Sequence, residues 1–473
     1  MLAHNTNVTD VNPPYGGYPK FISQGFNDDH LAQQLRQAAH TWIPAIWFLL
    51  DPYTYQYWNF STTRNGAKPQ NYLKKYSSDH TAETAYEFLK DALETQNIPF
   101  FVTIAPIAPH ADVSFYPEMR AGPPEVAERH RHLFTIIFLE RQTSIPNTPV
   151  VLNNTVLAYN DEYQRQRLRS LQAVDEMVEN IVSQLSDAGA LENTYIIYTS
   201  DNGYHISQHR MHPGKECGYE TDIRVPMIIR GPGVPEGEVS YSVSSHTNIA
   251  PTIMTLAGND LRFTFDGQPM HLHNLSASRP EHLNVEFWGL GVPEGKYGYG
   301  GKYGYVDGPG NAYVNNTYKS LRIENSKYGF YYSVWCTGEK ELYDMKADPA
   351  QMNNLLGSAS SSGHTLLGRA VVDVVDRLDA LLMVLKSCKG ESCVAPWKHI
   401  HPQGDVHSLT DALHRQFDSF YTQQPKVAFS KCELGYIKSS EGPQDVNVFE
   451  SVDRWSKIQD QNPMLDVHWS LRA

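Results

Sequence analysis

Between Tyr198 and Val234 the chain reads YTSDNGYHISQHRMHPGKECGYETDIRVPMIIRGPGV, which sets Asp201, Asn202, His205, His209, His212 and Lys215 between two apolar runs. A carboxylate and an amide oxygen are hard ligands suited to Ca²⁺ or Mg²⁺, and Asp201 and Asn202 would supply two of the roughly 6–8 oxygens a Ca²⁺ site takes. The same SDNG tetrapeptide is also a common turn, in which Asp and Asn accept backbone hydrogen bonds and Gly supplies a positive φ. Lys215 reads either as an anion-binding ammonium or as a solvated surface charge. The three histidines are spaced 4 and 3 apart, a spacing that would suit a soft metal on a helix, but Pro213 and Gly214 argue against a helix there and so against zinc. His110, after Pro106 and Pro109, has the titration range of a general acid, or serves only to hydrogen-bond its loop.

The elements that must position these groups follow from periodicity. From Ala82, AETAYEFLKDALETQ puts Ala85, Phe88, Leu89, Ala92 and Leu93 on one helical face. IPFFVTIAPIAPHAD then reads as a buried strand running into the loop of His110. The pattern recurs: Leu168, Leu171, Val174, Met177, Val178, Ile181, Val182 and Leu185 mark a helix, and TYIIYTS a strand ending at Asp201. Helices alternating with buried strands predict a mostly parallel sheet covered on both faces, whose ligands gather beyond the carboxyl ends of its strands. On that reading His110 and Asp201 face one cleft. VPMIIRGPGV predicts a third strand, and HTNIAPTIMTLAG a helix stopped at Gly258.

From about Leu275 the texture turns aromatic and Gly-rich, which predicts short antiparallel strands. The chain therefore divides into a first domain over 1–274 and a C-terminal subdomain over 275–473. The repeat GKYGYGGKYGY is expected to be a loop, and Val371, Val374, Leu378, Leu381 and Leu382 mark one further amphipathic helix.

With 473 residues, 41% hydrophobic and 19% charged, the chain can bury a large core. Its 39 Lys+Arg against 52 Asp+Glu leave a net charge of −13, which disfavours nucleic acid as a partner. The longest apolar run, WIPAIWFLL, falls short of the roughly 18–20 residues that span a bilayer, so no membrane partner is expected. MLAHNTNVTDVNPPYGG has neither the basic start nor the apolar run of a secretory signal. Other features point outward. Asn7, Asn59, Asn153, Asn274 and Asn315 begin glycosylation sequons, and Cys388 and Cys393 either close a small disulfide loop or remain two surface thiols.

Strand-SDNGYH, then GK and GYETDIRVPMIIRGPGV, resembles the sulfatase family, in particular arylsulfatases of the fungal type and their glucosamine-6-sulfatase relatives. The likeness extends to AHNTNVTDVNPPYGGY, TIAPIAPH, YQRQRLRSLQAVDEMVENIV, HTNIAPTIMTLAG, NVEFW and KELYDMKADPAQMNNLL, and so to most of the chain. It implies an α/β fold: an alkaline-phosphatase-like α/β/α sandwich with a smaller C-terminal antiparallel sheet plus a helix. It implies a sulfuric ester hydrolase that acts on small-molecule sulfate monoesters, aryl or carbohydrate, and the sequons and cysteines add the expectation of a glycoprotein that is secreted or in the secretory pathway. Asp201 and Asn202 match two of the family's Ca²⁺ ligands, Lys215 the lysine that holds the sulfate oxygens, and His110 the histidine that protonates the leaving oxygen. His205 matches a position near the site without a defined role.

Sulfatases attack with a formylglycine made from the Cys of Cys-x-Pro-Ser-Arg, and none of CGYE, CTGE, CKGE, CVAP or CELG fits that motif. In the family the motif precedes the segment matching AHNTNV, together with a first strand bearing paired Asp ligands. Two further stretches, LRQAAHTWIPAIWFLLDPYTY and TIIFLERQTSIPNTPVVLNNT, depart from the pattern abruptly between good matches, as displaced exon boundaries would leave them. The expectation is an inactive chain of reduced solubility. The competing readings are a non-catalytic protein that binds sulfate esters and, from the same superfold, a phosphatase or phosphodiesterase.

Overall fold

The computed structural model describes residues 47–49, 55–64, 68–95, 98–114, 120–136, 152–261, 264–273, 280–299, 305–307, 312–357 and 364–450. The two stretches that depart from the family pattern lie largely outside these, as do AHNTNVTDVNPPYGGY and the division near residue 274.

Strands β1 (Trp47–Leu49), β2 (Asn59–Arg64) and β3 (Gln70–Leu73) form an antiparallel sheet in the order β1-β2-β3. Helix α1 (Ser77–Glu94) follows and buries Ala85, Leu89 and Ala92 of the predicted stripe with Ala82 beside them, while Phe88 and Leu93 are half-buried. Among the described residues the run after α1 forms no strand, only a bridge at Phe100. It passes as extended chain into a small antiparallel pair, β4 (Asp112–Ser114) and β5 (Arg120–Gly122). Helix α2 (Asn154–Asp187) is 34 residues long and starts well before the apolar stripe, because Asn153 caps it by accepting a hydrogen bond from Val156 N at 3.0 Å. Arg129 fastens α2 to α1, reaching Asp79 at 2.7 Å and Glu176 at 2.6 Å.

Strands β6 (Ile196–Thr199) and β7 (Met227–Arg230) form where expected but pair antiparallel, Ile196 opposite Arg230. Among the described residues every strand pairing is antiparallel. The predicted parallel ladder needs a neighbour running in the same direction, and the ladder beside β6 is made by β7, which runs the other way. Between them lies one helical turn, α3 (Glu220–Ile223). Helix α4 (Ile249–Leu256) ends as predicted at Gly258, whose φ of 72° suits glycine.

The C-terminal sheet comprises β8 (His282–Phe287), β11 (Tyr318–Glu324), β12 (Gly329–Trp335) and β13 (Lys340–Asp344), antiparallel in the order β13-β12-β11-β8. Helix α5 (Val371–Leu385) packs on it, and Leu321, Ile323, Tyr332, Leu342, Val374, Leu378 and Leu381 make a dry core. Each such side chain contributes about 1.5–3 kcal/mol on burial. The Gly/Tyr repeat is not simply a loop: β9 (Tyr297–Tyr299) and β10 (Tyr305–Asp307) pair antiparallel, Tyr299 opposite Tyr305. Of the two readings open for Cys388 and Cys393 the structure has the disulfide, and a second joins Cys336 to Cys432 across 96 residues. Among the described residues no helix is long and apolar enough to cross a membrane.

Candidate active site

His110 sits in a tightly held turn. Its N–H donates to Ile107 O at 2.8 Å, its carbonyl accepts from Tyr57 Oη at 2.7 Å, and Arg167 of α2 donates to Pro109 O at 2.9 Å. The imidazole stacks on Tyr55 with centroids 4.5 Å apart, and Nδ1 lies 2.9 Å from Ala111 O. A carbonyl can only accept, so Nδ1 carries the hydrogen and Nε2 is left for chemistry. Nε2 faces Lys215 Nζ at 2.8 Å. Two groups 105 residues apart, singled out for their chemistry, thus meet.

The strand-like pairing of His205 with Gly214, two bonds of 2.9 and 3.1 Å, turns the chain back so that Lys215 reaches His110. His205 orients this hairpin: its Nδ1 lies 2.9 Å from both carboxylate oxygens of the buried Asp222. Asp222 also accepts from Cys217 N at 2.9 Å, and its own carbonyl accepts from Gly203 N at 2.7 Å. Gly203 is required here by close approach, since a Cβ would lie 2.0 Å from Thr221 O; the positive φ expected of it is not used. Asp222 stands inside the quoted stretch, and only its reach back to His205 marks it as structural.

The histidine trio does not converge. His209 stacks on Tyr219 at 4.2 Å with a left-handed φ of 51°, so the helix that zinc spacing needs is absent at that point. His212 donates to Pro213 O at 2.8 Å, and burial pushes its imidazole down to about 4, leaving it neutral. His205, Cys217 and Asp222 do bring potential ligand atoms within 4.8 Å of one another. Asp222 is already taken by His205, Cys217 N and Thr221 Oγ1, and burial pushes the Cys217 thiol well up, so the cluster is a hydrogen-bonded brace.

One member of the site carried no sequence signal. Glu294, in the loop between β8 and β9, places Oε1 3.3 Å from Lys215 Nζ and 4.0 Å from His110 Nε2. Its N–H donates to Pro213 O at 2.9 Å, which fixes the loop against the Lys215 hairpin. Burial opposes its ionisation, but Lys215 and then His110 outweigh burial and hold the carboxyl below its usual range. Nothing in GVPEGK predicts this partner 79 residues from Lys215.

Asp201 and Asn202 form the turn at the carboxyl end of β6. Asn202 N donates to Asp201 Oδ1 at 3.0 Å, and Asn202 Nδ2 donates to Gly203 O at 2.7 Å. With its nitrogen committed to that carbonyl, the Asn202 amide keeps an oxygen as a second hard donor next in sequence to the Asp201 carboxylate. Two hard oxygen donors on adjacent residues fit part of a divalent-cation site.

The family model described as Sulfatase matches residues 1–259, and Sulfatase ppz1 of Metarhizium majus (strain ARSEF 297) is 39% identical over 418 residues, 86% of this chain and 88% of that one. The chain belongs to the sulfatase family. An arylsulfatase of Volvox carteri is 35% identical over 91% of this sulfatase and 73% of its own length. Among solved structures, BT4656 in complex with its substrate D-glucosamine-2-N,6-O-disulfate superposes with a TM-score of 0.55 at 20% identity, covering 70% of this chain and 78% of that one. That likeness gives the alkaline-phosphatase-like mixed α/β fold, with its small antiparallel sheet near the C-terminus.

Proposed function

We propose that this sulfatase binds small-molecule sulfate monoesters, aryl or carbohydrate, at Lys215 and His110, and that the reaction it serves is sulfuric ester hydrolysis. The observation that carries the reading is the 2.8 Å contact between Lys215 Nζ and His110 Nε2 in a partly buried site. The ammonium donates to sulfuryl oxygens and offsets the ester's negative charge, and more so in the low dielectric of a partly buried site. His110, its ring held by Tyr55 and its Nδ1–H by Ala111 O, presents Nε2 to give a proton to the departing alkoxide or phenoxide. Asp201 and Asn202 are the residues that would hold Ca²⁺, whose charge would polarise the sulfuryl group.

A second reading, sulfate-ester binding without turnover, is favoured by the state of the cysteines: four are disulfide-bonded, and Cys217 is a half-buried thiol that burial pushes well above its ordinary range. Calorimetry with phenyl sulfate, run beside an assay for released sulfate, tests both. Binding that weakens about 10- to 100-fold in Lys215→Ala, the loss of one charge-assisted contact, supports the shared site. Binding indifferent to Lys215→Ala rejects it, and release of sulfate separates hydrolase from binding protein.

The secretory pathway is the proposed compartment. Two disulfides need an oxidising environment. Of the sequons, Asn153 and Asn315 are exposed, and Asn153 can keep its cap through Oδ1 while Nδ2 carries a glycan. Asn59 is half-buried in β2 with Oδ1 accepting from Asn71 at 3.2 Å, which makes it a poor acceptor. Asn7 and Asn274 lie outside the described residues.

A further inference from the structure

Lys215 Nζ and His110 Nε2 are two basic nitrogens at hydrogen-bonding distance, and that contact has a cost for catalysis. When the ammonium donates to Nε2 the imidazole is neutral and has no proton there to give. Protonating it puts two like charges in contact, in side chains only 20% and 22% exposed. Glu294 changes that balance. Its Oε1 lies near both nitrogens, and its side chain is 10% exposed.

We propose that Glu294 is a positioning residue of the sulfate site, the fixed counter-charge that allows Lys215 and His110 to be protonated together. The inference rests on the sulfate reading for what the proton is used for. With His110 neutral, the ammonium and carboxylate sum to zero. With His110 protonated the trio carries a single positive charge, and one sulfate monoester anion restores neutrality. Without the carboxylate the same loaded state would hold two cations against one anion. The acid form of His110 and the anionic substrate are thus matched in charge only when Glu294 is ionised, and Lys215 and His110 favour that ionised form.

Other groups around the trio leave this assignment to Glu294. Tyr55 contributes a ring face to His110, Tyr57 donates to its carbonyl, and Arg167 is committed to Pro109 O and stacked over Tyr204 at 4.0 Å. Tyr163 and Tyr204 stay as phenols, pushed well up by burial. Glu216 is pushed up to about 7 by burial and accepts from Val292 N at 2.7 Å, and His212 is neutral.

The test is the titration of His110 in the ligand-free protein, followed through its ring Cε1–H signal in ¹³C-histidine-labelled chain and assigned by its loss in His110→Asn. In Glu294→Gln, similar in shape but uncharged, the midpoint is expected about one pH unit or more below that of the wild type. Glu294→Asp, which keeps the charge, is expected to titrate closer to the wild type than Glu294→Gln does. A Glu294→Gln midpoint equal to or above the wild type's overturns the proposal. If Glu294→Gln does not fold, an Asp variant that shifts His110 upward overturns it equally, since a longer reach to both nitrogens should weaken the effect. The outcome is independent of the Lys215→Ala binding result: loss of the sulfate reading would leave the His110 midpoint to judge Glu294 alone.

Discussion

Asp112, the first residue of β4 and two positions beyond His110, offers a stability test tied to the site. Burial pushes its carboxyl up to about 7, with Glu125 adding like charge. An unfolded Asp titrates near ~3.9, so the folded state keeps a proton that the unfolded chain releases. The sign follows: folding is unpenalised below about pH 4, and stability declines as pH rises from there to about 7. A difference of about three pH units at 1.36 kcal/mol each gives a penalty of at most about 4 kcal/mol once pH exceeds 7. Asp112→Asn keeps the shape and an oxygen for the Tyr57 N–H, and removes the charge. The variant should therefore be more stable by about 4 kcal/mol at pH 7.5 and by about 1–2 kcal/mol at pH 5. Urea unfolding of both proteins at the two pH values measures this directly. An equal difference at both pH values, or a variant less stable at pH 7.5, refutes the reasoning.

The two disulfides should differ in weight. Loop-closure entropy gives about 4.7 kcal/mol for the 96-residue Cys336–Cys432 loop and about 2 kcal/mol for the five-residue Cys388–Cys393 loop, so Cys336→Ser with Cys432→Ser should lower the unfolding midpoint more than Cys388→Ser with Cys393→Ser. Equal losses would contradict that ranking. Chain secreted from a eukaryotic host should lose mass on treatment with N-glycosidase, and the part owed to Asn153 should vanish in Asn153→Gln; an untreated mass equal to that of the bare polypeptide would remove the glycoprotein proposal.

Much of the fold could be read from periodicity because each buried stripe answers to a single nearby surface. Most of each stripe is buried, Val374, Leu378, Leu381 and Leu382 on α5 and Ala85, Leu89 and Ala92 on α1, while Val371, Phe88 and Leu93 are half-buried at the edges. Strand direction is different in kind. Nothing inside YIIYT encodes whether its neighbour runs alongside or against it, and β6 found β7 antiparallel. Of the site, Lys215 and His110 were legible because the residue types and the family likeness agreed, and the structure brings them together. Glu294 was not, since a lone glutamate between Pro and Gly looks like any solvated loop charge until the fold buries it. His205 shows the converse, a residue with the chemistry of a ligand that the structure spends on Asp222.

The hairpin that carries Lys215 leans on the C-terminal sheet. Arg322 of β11 holds Glu220 at 2.8 Å, Gln351 Oε1 accepts from Glu220 N at 2.7 Å, Tyr219 donates to Glu341 of β13 at 3.2 Å, and Asn316 donates to Glu216 O at 2.9 Å. Gly218 lies so close to Tyr331 of β12 that a Cβ would sit 1.8 Å from its hydroxyl. The stretch proposed to bind sulfate esters therefore has its shape dictated by residues a hundred or more positions downstream. Inherited or engineered changes in that distant sheet would read out as weakened ligand affinity in a protein whose own ligand-touching residues are untouched, and a screen confined to the cleft would miss them.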